Sequence, residues 1–150
     1  MRLYIFESEA ILNRPVAEIF DFFSSAGNLE VVTPPWLNFR ILTPPPIKMQ
    51  AGTRIDYRLR LYGIPISWKT EITVWEPPHR FVDTQLKGPY RKWVHEHRFE
   101  ETGQGTRMTD RVEYAVPGLI FAPLIHKFFV GRDVERIFAY RRVRLDEIFG

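Results

Sequence analysis

Two histidines one residue apart, His95 and His97, stand in the run KWVHEHRF between Trp93 and Phe99. On an extended chain alternate residues project from the same face, so the two imidazoles can act together. Imidazole is the side chain best placed to move a proton near neutral pH. With a carboxylate, two imidazoles can also take a divalent ion. They can equally be paired polar members of a core that hold no ligand. Asp83 and Asp110 are the carboxylates that strand pairing can bring to them. Which chemistry is open depends on where the surrounding elements aim these groups.

Other chemistries are set aside first. The chain has no cysteine, which removes disulfides, thiolate metal sites and cysteine nucleophiles. No P-loop, G-x-G-x-x-G or G-x-S-x-G pattern occurs, and Ser67 is expected to face outward. HEH lacks the longer spacing of a recognised zinc motif, and Phe81 and Met108 are expected to flank His97, so no metal is expected there. Net charge is only +3 and the arginines are dispersed; ERIFAYRRVR reads as the solvated side of a helix rather than a nucleic-acid surface. Glu7 and Glu9 come too early for a signal-peptide core. The longest apolar run, AVPGLIFAPLIHKFFVG, is broken by Pro117, Pro123, His126 and Lys127, so no membrane insertion is expected and the protein is placed in the cytoplasm.

The elements follow from periodicity. RLYIFESEAIL alternates as a first strand. NRPVAEIFDFFSSAGN reads as a helix entered at Asn13–Pro15 and closed at Gly27, with Val16, Ile19, Phe20 and Phe23 buried. NLEVVTPPW gives a second short helix stopped by Pro34 and Pro35. From WLNFRIL onward the period is two, through TRIDYRLRLYG, ISWKTEITVW, HRFVDTQL, WVHEHRF and TRMTDRVEYAV, an antiparallel meander. After Pro117 the spacing is helical, with Val130, Val134, Ile137, Phe138, Arg141, Leu145 and Ile148 on one stripe. The chain of 150 residues is expected to form one α+β domain over 1–150, with an apolar sheet face covered by its only long helix. A curved sheet against a helix leaves room between them for a ligand.

Strand parity aims the histidines. With a turn at Gly63–Pro65, Leu59 is expected opposite Trp68 and Tyr57 opposite Thr70; further on, Ile72 meets Asp83. Asp83 then meets His95, Phe81 meets His97 and Gln85 meets Trp93. Across TGQG, His95 is expected opposite Asp110 and His97 opposite Met108. A slip of two residues would change partners but not faces. His95 and His97 thus join Ile55, Tyr57, Leu59, Trp68, Phe81, Trp93, Phe99, Met108 and Val112 on the concave side, with His95 between Asp83 and Asp110. Buried unpaired, such groups would each cost roughly 1–3 kcal/mol; pairing makes them tolerable. Three readings stay open: a network that pins register, a polar patch that contacts a ligand, and an acid–base pair. Arg141 is expected to snorkel past the rim. Trp36 and Trp75 either close the pocket or fill its ends. The apolar run VPGLIFAPLIHKFF suits an entrance, a homodimer contact or a membrane surface.

The segments NLEVVTPPW, AGTRIDYRLRLYGIPISWKTEI, EPPHRFVDTQLKGPYRKWVHEHRF and GTRMTDRVEYAVPG resemble the SRPBCC superfamily, which includes START domains, Bet v 1-like proteins and polyketide cyclases/dehydrases. They are most similar to a bacterial ligand-binding branch of it. The resemblance implies a helix-grip fold: six or seven antiparallel strands curved around a long C-terminal helix, with two short helices after the first strand. It implies binding or transfer of a small hydrophobic molecule, aromatic or lipid-like, without a cofactor. Ligand contacts are expected from Tyr57, Leu59, Trp68, Phe81, Gln85, Trp93, His97, Met108, Val112 and Tyr114. The alternatives are a cyclase/dehydrase-like enzyme, with His95 as acid or base beside Asp83 or Asp110, and a protein-interaction module with no ligand.

Overall fold

The computed structural model describes residues 2–118 and 122–150. β1 (Tyr4–Leu12) leads into α1 (Val16–Phe23), α2 (Asn28–Val32), a 3₁₀ turn at Pro35–Leu37 and β2 (Arg40–Ile41). β3 (Arg54–Leu61), β4 (Ile64–Glu76), β5 (Arg80–Lys87), β6 (Lys92–Thr102) and β7 (Gly105–Ala115) form the meander. The chain ends in α3 (Ala122–Ile125), a π-helical turn at His126–Val130 and α4 (Gly131–Phe149). All seven strands belong to one curved antiparallel sheet in the order β1-β7-β6-β5-β4-β3-β2. This is the expected helix-grip architecture. None of the described helices is long and apolar enough to cross a membrane.

The sheet needs a cover because its two faces differ in kind. Along β3, every second residue is buried, Ile55, Tyr57 and Leu59, while Arg54, Asp56, Arg58 and Arg60 are exposed. The outer face carries a lattice of ion pairs, Arg54–Glu71, Arg80–Glu96, Lys92–Glu113 and Arg111–Glu7 among them. Exposed pairs of this kind each add little stability; their effect is to keep that face wet. α4 covers the inner face, packing on β1 and α2 and burying Val134, Phe138, Arg141 and Leu145. At its last turn Phe149 is buried and Ile148 only half-buried, one residue later than the expected stripe. Residues 119–121 of the expected entrance lie outside the described residues.

Register departs from expectation at two turns. β3 and β4 join through the two-residue turn Tyr62–Gly63, with φ of 52° and 78°. Positive φ at both positions matches the right-handed twist of the flanking strands, so Pro65 enters β4 and pairs with Arg60. Tyr57 therefore faces Trp68, Leu59 faces Ile66 and Thr70 faces Ile55. At the β6–β7 turn Thr102 pairs with Gly105, which places His95 opposite Val112, His97 opposite Asp110 and Phe99 opposite Met108. Both slips are of two residues, so every face is preserved. The β5 pairings stand as expected: Asp83 with Ile72 on one side and His95 on the other, and Phe81 with His97. That ladder stops at Thr84–Val94, short of Gln85 and Trp93.

The expected strand over WLNFRIL shrinks to Arg40–Ile41, because Pro34 and Pro35 start a 3₁₀ turn and Asn38 takes a left-handed φ of 46°. Tyr62, strained at its turn, donates its hydroxyl to Asp133 Oδ2 on α4 at 2.8 Å and meets Phe129 edge-on. The hairpin tip is thereby tied to the helix. Tyr62→Phe keeps the turn and the ring contact but loses the exposed bond. A fall of about 0.5–1 kcal/mol in urea denaturation is expected; no change would mean the hydroxyl contributes nothing to stability.

Candidate functional site

The meander brings His95 and His97 from β6 between Asp83 on β5 and Asp110 on β7, and α4 lowers Arg141 onto them. The imidazoles stack at 3.7 Å between centroids, at 26°. His97 Nε2 lies 2.7 Å from Asp83 Oδ2, and His95 Nε2 lies 2.7 Å from Asp110 Oδ1. Each carboxylate also faces the other ring, Asp83 Oδ2 at 3.8 Å from His95 Nδ1 and Asp110 Oδ1 at 3.4 Å from His97 Nδ1. The expectation placed both carboxylates on His95. Both short bonds instead run diagonally to the ladder, from Asp110 opposite His97 to His95 and from Asp83 opposite His95 to His97, so each histidine has one.

Arg141 completes the set. Its Nη2 is 3.3 Å from His97 Nδ1 and 3.5 Å from Asp110 Oδ1. The guanidinium lies over Phe23 and Phe138, with Cζ at 5.1 and 5.8 Å from their centroids. Arginine is buried here, not snorkelling to the rim, because Asp110 beneath it supplies a counter-charge. An arginine can only donate, so His97 Nδ1 accepts and its Nε2–H donates to Asp83. His97 is then neutral.

Titration agrees with that assignment. Burial holds His97 well below the ordinary imidazole range, and the positive neighbours His95 and Arg141 push the same way. Burial also pushes Asp83 upward, against the opposing pull of His95 and Arg141. For Asp110 burial acts upward too, but Arg141, the His95 bond and the two imidazoles together hold the carboxyl below the usual range. Asp110 and Arg141 thus form an ion pair, while Asp83 accepts from His97.

A cavity of about 150 Å³ opens beside this cluster. Tyr57, Leu59, Leu61, Trp68, Tyr90 and Trp93 wall it from the sheet, and Ile137 and Phe138 from α4. Leu29, Thr33, Leu37 and Phe39 close it from the α2–β2 segment. Asp83, His95, His97 and Arg141 form its polar side. Trp68 and Trp93 meet edge-to-face at 5.4 Å, and Tyr90 packs on Trp93 at 4.7 Å. Burial pushes the Tyr57 hydroxyl above its usual range, so it stays protonated.

Of the expected ligand contacts, Tyr57, Leu59, Trp68, Trp93 and His97 lie in this wall. Phe81 and Met108 do not: they are packed with Phe20, Phe99 and Leu145 in the solid end of the core. Val112 and Tyr114 belong to a second packed cluster with Val134 and Phe138, and Tyr114 donates to or accepts from His126 Nε2 at 2.7 Å. Gln85 bonds the backbone of Tyr90 through both ends of its amide, at 2.8 and 3.3 Å, and so shapes a turn. Trp75 fills the core end against Phe20 and Phe81, and Trp36 sits outside on Tyr140 and under Arg136. The α2–β2 contribution comes from a short helix, a 3₁₀ turn and the chain after it, across which no single periodicity in the sequence marks a shared face.

Asp83, His95 and His97 each offer one ligand atom, and these atoms lie within 4.8 Å of one another, close enough to converge on one ion. In the hydrogen-bonded arrangement, however, His97 Nε2 carries the proton given to Asp83, and the lone pair a metal requires is not available.

Comparison with known proteins bears on these groups. A family model described as polyketide cyclase/dehydrase and lipid transport matches residues 12–141. No curated protein matches by sequence. Among solved structures, protein CV1439 of Chromobacterium violaceum is similar with 11% identity and a TM-score of 0.72, covering 97% of this chain and 96% of that one. Major latex-like protein 151 of Panax ginseng is similar at 8% identity and a TM-score of 0.71, covering 99% and 98%. Ara h 8.0201 is similar at 17% identity and a TM-score of 0.71, with the same coverages. At these identities the likeness is one of fold.

Proposed function

We propose, from the premise that this chain belongs to the polyketide cyclase/dehydrase and lipid transport family, that it binds a small hydrophobic molecule between sheet and C-terminal helix. The observation that carries this reading is the cavity itself, walled by Tyr57, Trp68, Tyr90 and Trp93 and polar on one side only. Pockets of that composition bury an apolar body and orient it by a few placed polar groups. Its volume limits the guest. A void of roughly 150 Å³ accommodates about one benzene ring, against roughly 300–1,000 Å³ in sites for drug-sized ligands.

Native mass spectrometry of protein purified from its own host tests this. One added small mass, released on denaturation, is expected. A chain that comes through bare and also shows no saturable binding of ethylbenzene would overturn the reading.

A second reading is favoured by one observation, the held imidazole of His95. Asp110 fixes Nε2, and Nδ1 turns toward Asp83 on the cavity side. An imidazole oriented by a carboxylate can remove a proton next to a carbonyl and return it. Deuterium uptake at the methyl group of acetophenone in D₂O, faster with protein and lost in His95→Gln, would support an enzyme. Uptake at the buffer rate would leave binding alone.

A further inference from the structure

The polar groups of the cluster are not equally open. The side chains of His95, His97, Asp110 and Arg141 are each 10% exposed or less, whereas that of Asp83 is 21% exposed. Asp83 projects from β5 to the concave side and lines the cavity there. Its Oδ2 accepts the His97 N–H at 2.7 Å, while Oδ1 has no hydrogen-bond partner among the described residues. Among those residues, Arg141 Nε is the one side-chain nitrogen or oxygen that is both unbonded and sealed. The unbonded Oδ1 is therefore not sealed; it keeps open surface, and the space beside Asp83 is the cavity. A carboxylate has about four lone-pair sites, and buried polar atoms are normally partnered. With so few of its sites filled, burial pushes Asp83 upward against the pull of His95 and Arg141.

The neighbours fix the kind of guest that fits there. An ionised carboxylate can only accept, so the guest must bring an O–H or N–H. An anion would face Asp83 itself, and a cation would be stripped of water with Arg141 in the same wall. A neutral donor avoids both costs and gains a charge-assisted bond. Resting on the binding reading above, we infer that Asp83 Oδ1 is the ligand-binding acceptor of this cavity, and that the guest is a neutral molecule of about one ring bearing a hydroxyl or amino group. The aromatic wall of Trp68, Tyr90 and Trp93 takes the ring, so Asp83 selects phenol-like guests over plain hydrocarbons.

Phenol, toluene, anisole and benzylamine, titrated into the full chain near neutral pH by ligand-observed NMR, separate the alternatives. Phenol is expected to bind roughly 10- to 100-fold tighter than toluene, which has its shape but no donor; this is the span of one hydrogen bond to a charged group. Anisole keeps the oxygen and loses the proton, so it is expected to follow toluene. In Asp83→Asn the amide oxygen stays on the His97 N–H and the NH₂ turns to the cavity. Phenol and anisole can both accept from it, so the preference for phenol over anisole should fall to about twofold or less. Equal affinity of wild type for phenol and toluene would overturn the acceptor role and leave hydrophobic binding standing. Anisole matching phenol in wild type would overturn it as well, because the oxygen and not its proton would then be recognised. Tightest binding of benzylamine would overturn the neutral guest. A preference unchanged in Asp83→Asn would overturn the assignment to Asp83, since another group would then accept the bond. The wild-type contrasts decide the acceptor role even where the variant fails to fold. Failure of all four guests would instead remove the binding reading on which the inference rests.

Discussion

Asp110→Ala is expected to cost about 3–5 kcal/mol of stability, the loss typical when one member of a buried ion pair is removed. The size follows from what the carboxylate leaves behind. Arg141, 8% exposed, would keep its charge with no counter-ion, and His95 would lose its 2.7 Å partner. Burial alone would raise the Asp110 carboxyl; Arg141 and His95 reverse that, which is why it titrates below its usual range. The control is Arg141→Met in the same background. If the cost is that of an orphaned charge, the double variant should regain most of it, and a double-mutant cycle in urea should give strongly non-additive values. A single variant within about 1 kcal/mol of wild type would mean the pair is solvated and the cluster is not what holds α4 on the sheet.

The second large effect is on pH. His97 is 1% exposed and its imidazole is held neutral, with a pKa lowered well below the 6.5 of a free side chain. The unfolded chain therefore binds a proton below pH 6.5 that the folded one refuses. Stability is full above that value and falls as pH drops beneath it, by about 1.4 kcal/mol per pH unit for one proton. The groups facing His97 modulate this. Asp83, raised by burial, binds its proton more readily when folded, which offsets part of the loss at the acid end. Asp110, lowered, adds its own loss only in the carboxylate range. His126, also lowered by burial, acts in the same direction as His97 from the far end of the sheet. Urea denaturation is expected to change little from pH 7.5 to 6.5 and to lose about 1–1.5 kcal/mol by pH 5.5. In His97→Gln, whose amide can still donate to Asp83, most of that slope should vanish. A wild type that is flat to pH 5.5, or a slope unchanged in the variant, would contradict a neutral buried His97.

The sequence made the faces legible and the partners less so. Period-two alternation fixed His95, His97, Asp83 and Asp110 on the concave side whatever the register, since a slip of two residues preserves parity. What alternation cannot give is where a turn closes. Tyr62–Gly63 closes the β3–β4 hairpin two residues from the expected register, and Gly103–Gln104 does the same for β6–β7, which puts Asp110 opposite His97 rather than His95 in the ladder. Position along a strand was hidden in the same way. Phe81 and Met108 share a face with Trp68 and Trp93, but they lie beneath α1 and the end of α4, where the space is filled. Arg141 was visible on the helix stripe, yet its burial depends on Asp110 lying under that turn of the helix, a relation between elements far apart in sequence.

The sheet order also sets a timetable. β1 precedes the other strands, but its ladder partner among the described residues is β7, with Leu12 paired to Thr106. On a ribosome adding roughly 5–20 residues per second, β1 and α1 wait several seconds for about ninety further residues before their partner exists. During that wait the growing meander ends in an open strand edge, and edges of that kind recruit other chains. Glu7 and Glu9 are exposed on β1, and charge on a strand that waits for its partner disfavours its pairing with other chains.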